Sequence, residues 1–402
     1  MITSNSITRW FGFFKEKYLP AKSLQRRLLI DVSVIARHDA QTGIQRVVRA
    51  LSEQLLIEGL PDYEVRFIGA VGKRPYRFLD QDFPYPKSKA GRKGGIVSPR
   101  SGDIFLGLDL ASRILPLQSR RIQTWRNRGV HIACVIYDLL PIRHPQWFNS
   151  GHAAAFERWL LFIKDHCDHA ICISRTVQSE LVDWMAVHAP DRLSEMKIAT
   201  IKLGGDFSSK VSSQASQSAD NIVRAHLKGD EFILIVGTIE PRKGHSYLLD
   251  AFDHMSTGSY RAFPSLVIVG RPGWKTENLQ DRIRDHALLG KKLFWFDDAD
   301  DALVEALYRS CSGVILPSLA EGFGLPLAEA LAYGKPVLAR DIPVFREHDK
   351  AISLFHDDHA QALGDKIIDW LLSNHHRPSN GTTLTTWEQS RRMLAAELLN
   401  HA

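Results

Sequence analysis

The chain has 402 residues, 44% of them hydrophobic and 24% charged, with a formal net charge of +6. That is enough apolar chain for two α/β domains of ordinary size. The mild basic excess suits phosphate-bearing ligands or an anionic membrane surface; it is too small to argue for nucleic acid, and no nucleic-acid-binding motif is present.

Residues 1–25 carry Ile7, Trp10, Phe11 and Phe14 at helical spacing, with Phe13 and Tyr18 close by. Arg9, Lys15, Lys17, Lys22, Arg26 and Arg27 add positive charge. An aromatic and basic amphipathic segment suits a membrane surface rich in anionic lipids, contacted through residues 7–27. The other readings are a helix packed on the protein's own surface, or a tail. The same basic residues interrupt the apolar patch, so no signal peptide is read, and no apolar run is long enough to span a bilayer.

Leu28 to Val34 reads as a buried strand. Thr42-Gly43 then opens a helix with Ile44, Val47, Val48, Leu51 and Leu55 along one face. Strand, glycine and helix at the start of a chain form the first βα turn of a doubly wound sheet, and Gly43 would let a ligand approach the backbone. Arg46 and Arg49 read as solvated surface on the polar side of that helix. Tyr63 to Val71 is the next strand. Residues 72–101, rich in Pro, Gly, Lys and Arg, read as a long exposed loop able to shape an acceptor site.

Further strands are expected at Asp103–Leu108 and Val130–Leu140. The second runs through Tyr137-Asp138 into Pro141-Ile142-Arg143-His144-Pro145. Taken by themselves, Asp138 and His144 fit simple turn roles. A helix over Ala153–Phe162, a strand over His169–Ser174, a helix from Ser174 to Val187 and a strand over Met196–Leu203 complete the first half. Residues 207–220 are rich in serine and poor in apolar side chains, which predicts an exposed linker.

The second half opens with a strand over Glu231–Thr238, followed by Ile239-Glu240-Pro241-Arg242-Lys243-Gly244. Strand, Gly237, basic pair and helix again describe a phosphate site, although a basic pair after a strand is also ordinary surface. Strands follow at Ser265–Gly270 and Leu293–Phe296, and a helix at Asp301–Tyr308. Leu316 to Arg340 then reads strand, loop, helix, strand. Its loop is Glu321-Gly322-Phe323-Gly324-Leu325, Pro326 suits the first helical turn, and Glu329 falls about one turn inside. N–H groups at a helix start favour anions, and carboxylates beside them suit a ligand that carries both phosphates and hydroxyls. Equally, Glu321 and Glu329 could complement the helix dipole.

The four cysteines, Cys134, Cys167, Cys172 and Cys311, form no C-x2-C pair and no zinc-spaced cluster with histidine. They point to small core residues in a reducing cytoplasm.

Glu321 and Glu329, with EGFGLPLAEALAYGKPV around them, resemble the E-x7-E motif of the retaining glycosyltransferases of family 4, and more narrowly bacterial mannosyltransferases of polysaccharide or O-antigen assembly. The resemblance implies the GT-B fold: two Rossmann-like α/β domains facing each other across a cleft. It implies a nucleoside-diphosphate sugar as donor, a glycan or lipid-linked glycan as acceptor, retention of anomeric configuration and no metal or other cofactor. It places Glu321 near the donor sugar, Glu329 on the ribose hydroxyls, and Lys243 with Arg242 on the diphosphate. Gly237, Thr238, Gly322, Phe323, Gly324, Leu325 and Gly43 complete the donor side. The run from Asp138-Leu139-x-Pro141 to His144-Pro145 resembles the family's acceptor-domain segment, with Tyr137 where the family has histidine, and the resemblance puts Tyr137, Asp138 and His144 on the acceptor side. Thr238 stands where the family commonly has arginine.

The expected organisation is an N-terminal segment 1–25, an acceptor domain 26–206, a linker 207–228, a donor domain 229–385 and a final helix 386–402 packing back on the first domain. The expected activity is transfer of a sugar, mannose from a GDP donor being the first guess, in the cytoplasm at the inner face of the plasma membrane, with no nucleic-acid partner. The rivals are a nucleotide-sugar epimerase on the same scaffold and a non-catalytic binding subunit.

Overall fold

The computed structural model describes residues 25–40, 42–79, 83–84, 94–206, 213–258, 260, 263–348, 352–356, 359–373 and 385–400. Residues 1–24 of the amphipathic segment lie outside them. No helix among the described residues is long and apolar enough to cross a membrane.

Two sheets organise the chain. The first runs β3-β2-β1-β4-β5-β6-β7, with β1 Arg26–Asp31, β2 Tyr63–Gly69, β3 Arg77–Phe78, β4 Ile104–Gly107, β5 His131–Ile136, β6 His169–Cys172 and β7 Lys197–Thr200. All neighbours are parallel except β2 and β3. The second sheet runs β10-β9-β8-β11-β12-β13. Its strands are β8 Phe232–Val236, β9 Ser265–Val269, β10 Leu293–Phe296, β11 Gly313–Leu316, β12 Val337–Arg340 and β13 Ser353–Phe355, and every pair is parallel. Parallel strands covered on both faces require continuous apolar runs. Leu28, Leu29 and Ile30 of β1 and Ile233 and Leu234 of β8 are fully buried, each worth about 1.5–3 kcal/mol of apolar burial.

Chain order reverses direction in each sheet between β1 and β4, and between β8 and β11. Doubly wound sheets bind ligands at that switch, beyond the carboxyl ends of the strands. The loops that follow β1, β4, β5, β8, β9 and β11 all open into one shared cleft.

Three expectations are corrected. The stretch expected as a linker contains the helix Ser213–Leu227, which buries Ala219, Val223 and Leu227 at helical spacing in the core that also holds the Asp301–Ser310 helix. Arg26 and Arg27 belong to β1 rather than to a basic surface segment. Arg27 is buried in an ion pair with Asp103 at 2.6 Å and also donates to Ser98 O. The loop 72–101 contributes the edge strand β3.

The final helix, Trp387–Leu399, starts from a Thr386/Gln389 capping box and packs against the helix Gly43–Glu58. Trp387, Leu394, Ala395 and Leu398 join the core of the first domain. Trp387 also donates from its backbone N to Asp206 Oδ1 and from Nε1 to Asp206 O, both at 2.8 Å.

Candidate active site between the two domains

The cleft has a volume of about 900 Å³ and takes walls from both domains. On the second domain, the turn after β8 is shaped by Gly244, which adopts φ 71° and lies so near Pro317 that a Cβ would sit 2.1 Å from its carbonyl oxygen. Glycine alone allows this approach, and it brings the basic pair against the loop after β11.

Glu321 is the centre of that contact. It accepts from Lys243 Nζ at 2.6 Å, from Arg242 Nη1 at 2.7 Å and from Ser318 Oγ at 2.8 Å. Burial opposes its ionisation, but Arg242 and then Lys243 outweigh burial and pull its pKa down to about 2. Glu321 is therefore a fixed anion at any physiological pH. Lys243 lies over Gly237, where a Cβ would sit 3.6 Å from its Nζ.

Arg242 lines the same cleft and has further partners. Its guanidinium also pairs with Glu240 at 2.7 Å and donates to Ala320 O at 3.1 Å. These partners commit it to holding the Glu321 loop, with Asp138 of the opposite domain nearby. Burial raises the pKa of Asp138, and Arg242 opposes that rise.

Across the cleft, Thr42 and Gln45 form a capping box that starts the Gly43–Glu58 helix. Gly43 faces the other domain's helix Leu325–Ala332: a Cβ at Gly43 would lie 3.6 Å from Leu325 Cδ1. Two helix N-termini thus meet in the cleft, and both favour an anion. One turn further along, Arg46 pairs with Glu329, and with Asp301 at 2.9 Å. Glu329 also accepts from Tyr308 Oη at 2.8 Å. Arg46, read from sequence as solvated surface, is instead a bridge between domains.

Further contacts hold the domains together. Ser174 Oγ donates to Gly322 O at 2.6 Å. A Cβ on Gly322 would lie 2.0 Å from Tyr137 O, so the loop after β11 seats directly on the end of β5. Phe323 joins the first domain's core. Glu347 accepts from Thr176 N at 2.9 Å, Thr176 Oγ1 at 2.7 Å and Arg175 N at 3.2 Å, satisfying the start of the helix Arg175–His188 from the other domain. On the far side, Trp274 Nε1 donates to Trp147 O at 2.7 Å, and Lys275 Nζ to Gln146 O and Phe148 O.

Residues 218–382 match the family described as glycosyl transferases group 1. The chain is 34% identical over 390 residues to the serotype-specific mannosyltransferase WbdA of Escherichia coli, covering 94% of this chain and 47% of that protein. It is 27% identical over 214 residues to the O-antigen chain mannosyltransferase RfbU of Salmonella typhimurium, covering 53% of this chain and 52% of that one. The chain thus spans about half the length of these curated relatives. Among solved structures, sucrose-phosphate synthase from Thermosynechococcus elongatus superposes with TM-score 0.64 at 18% identity, over 94% of this chain and 100% of that one. Anabaena HepE in complex with UDP and glucose superposes with TM-score 0.55 at 15% identity, over 92% and 95%.

This chain has the GT-B fold, and its residues 218–382 resemble the group 1 glycosyl transferases.

In this GT-B protein the cleft gathers Glu321, Lys243, Arg242, Gly237, Thr238, Gly322, Phe323, Gly324, Leu325, Glu329, Gly43, Tyr137 and Asp138 along its walls. His144 is not among them: its ring stacks on Trp147 at 4.2 Å, beside the turn it helps to form. Tyr137 does not aim its hydroxyl into the cleft. Its Oη donates to Leu108 O at 2.6 Å, and burial pushes its pKa well up. Tyr137→Phe is therefore expected to cost about 1–1.5 kcal/mol of stability in a denaturant melt, since Leu108 O loses a buried partner. A melt unchanged from wild type would mean that the Leu108 contact is not made. Sequence reasoning missed Arg46, Glu240, Phe148, Asp301 and Trp274 as cleft residues.

Proposed function

We propose that this chain transfers a sugar, mannose in the first instance, from a nucleoside-diphosphate sugar to a glycan or lipid-linked glycan acceptor, with retention of configuration and without a metal ion. The observation that carries the proposal is the Lys243–Glu321 pair, set beside two facing helix N-termini in a cleft between the domains. The names of the WbdA and RfbU relatives support mannose.

In this reading the diphosphate lies against the N–H groups at Gly43 and at Leu325, with Lys243 offsetting the charge that grows on it as the sugar leaves. Glu321 stands near the sugar, its charge fixed, where positive character develops at the anomeric carbon. Glu329 accepts from the ribose hydroxyls. The bond from the anomeric carbon to the phosphate oxygen breaks, and the acceptor oxygen bonds the same face of that carbon. The acceptor's proton passes to the departing phosphate oxygen, so no separate base is required. Arg242 acts at one remove, by fixing the Glu321 loop.

The test is a panel of GDP-, UDP-, ADP- and dTDP-sugars scored by thermal shift and then by nucleotide release. GDP-mannose should give the largest shift and slow release of GDP even without acceptor. No shift and no release with any donor would overturn the proposal, and an isomerised donor sugar would replace it with an epimerase. Within it, Lys243→Ala is expected to slow transfer at least tenfold, about 1.4 kcal/mol in the barrier, and usually more for a charge in a dry site. A smaller loss, measured at saturating donor, removes Lys243 from the diphosphate.

A further inference from the structure

Glu329 has both carboxylate oxygens engaged. Oε2 accepts from Tyr308, a buried hydroxyl of its own domain, and Oε1 accepts from Arg46 of the opposite domain. The two partners differ in freedom. Tyr308 is fully buried, whereas the Arg46 side chain is 29% exposed at the cleft and shares its guanidinium with Asp301, whose carboxylate is mostly in solvent. A ligand hydroxyl arriving at Glu329 would therefore displace Arg46 rather than Tyr308.

The helices dictate where a displaced guanidinium can go. Their N-termini meet at Gly43 and Leu325, and Arg46 and Glu329 follow three and four residues later, about one turn on. The extended arginine side chain can span one turn, so its charge can move from Glu329 to the paired N-termini. That is where a diphosphate fits. On the second domain's side, Lys243, itself paired with Glu321, and Arg271 line the cleft. Thr238 carries no charge, and Arg242 is held by Glu240 and Glu321.

We propose that Arg46 is a handover residue. Before donor binds, it neutralises Glu329 and bridges the domains; when ribose hydroxyls take Glu329, the guanidinium passes to the diphosphate and holds the cleft closed on a loaded donor. This rests on the reading of Glu329 as the ribose carboxylate. It makes Arg46 a donor-binding residue supplied by the first domain, whose bridge across the cleft changes partner, from Glu329 to the diphosphate, when donor is loaded.

The experiment compares calorimetric affinities for GDP and guanosine in the full chain, in Arg46→Met and in Glu329→Gln, with UDP and uridine as a second pair; the pair that binds more tightly is used. Thermal melts accompany each protein. Arg46→Met is expected to weaken the nucleoside diphosphate at least tenfold and to leave the nucleoside unchanged or tighter, because its competitor for Glu329 is gone. Arg46→Lys should recover part of the diphosphate affinity. Equal weakening of both ligands would reduce Arg46 to a packing role and overturn the handover. So would unchanged or tighter binding of the diphosphate. Separately, nucleoside affinity unaffected by Glu329→Gln would remove the ribose reading itself, whatever Arg46→Met does.

Discussion

Glu321→Gln is expected to lower transfer by about a thousandfold while the protein remains folded, the upper end of what loss of one preorganised electrostatic group produces. Glutamine keeps the size of the side chain, and its one oxygen can still accept either from Lys243 and Ser318 or from Arg242, whereas alanine would leave two buried cations with no acceptor at this position. Removing one partner of a buried ion pair costs about 3–5 kcal/mol, so the alanine variant confounds activity with folding. The pH dependence of stability provides a second readout. The pKa of Glu321 falls from 4.5 in a free chain to about 2 in the fold, which corresponds to about 3 kcal/mol. A depressed carboxylate stabilises the fold above its unfolded pKa, and that contribution is lost as pH drops from about 4.5 towards 2. Glu321→Gln should therefore be less stable than wild type at pH 7 and lose less on acidification through that window. Equal acid slopes would mean that Glu321 is not held by the pair, and near-normal turnover would remove it from the chemistry.

Gly322→Ala should have the second largest effect, by geometry rather than charge. Its new methyl would lie 2.0 Å from Tyr137 O, a backbone atom at the end of β5 that cannot step aside. The loop must retreat, and the Ser174–Gly322 hydrogen bond is lost with it. Displacing a positioned group by about an ångström can cost about a hundredfold, and that is the expected loss in transfer. Nucleotide affinity should fall far less, since most of its proposed partners lie on the second domain alone. Small-angle scattering should report a larger radius of gyration. Transfer within threefold of wild type would mean that the seated loop is not the reacting arrangement.

The strands were legible because parallel sheets demand unbroken apolar runs, and LLID, FILIV and GVIL stand out against polar neighbours. Glu321, Lys243 and Gly43 were legible because helix starts after glycine loops carry their own sequence pattern. What stayed hidden depends on distant pairing. Arg46 and Glu329 are 283 residues apart, and nothing local separates a bridging arginine from a solvated one. The two carboxylate partners of Arg242, Glu240 and Glu321, converge on it only in the fold. The hydroxyl of Tyr137 could have pointed either way until Leu108 O met it. The helix Ser213–Leu227 could have been found: Ala219, Val223 and Leu227 repeat every fourth residue, and serine-rich composition masked them.

The final helix returns the chain to the domain in which it began. The chain passes between domains twice, once between Asp206 and the Ser213–Leu227 helix and again between Ser373 and Thr385. At the first domain the two passages are pinned side by side by the Trp387–Asp206 hydrogen bonds. The first domain is therefore discontinuous in sequence, with the whole second domain inserted between Asp206 and the last helix. A chain read from its N-terminus completes the first domain's core only when residues 387–398 are added, so trimming the last helix would open that core at Leu394, Ala395 and Leu398.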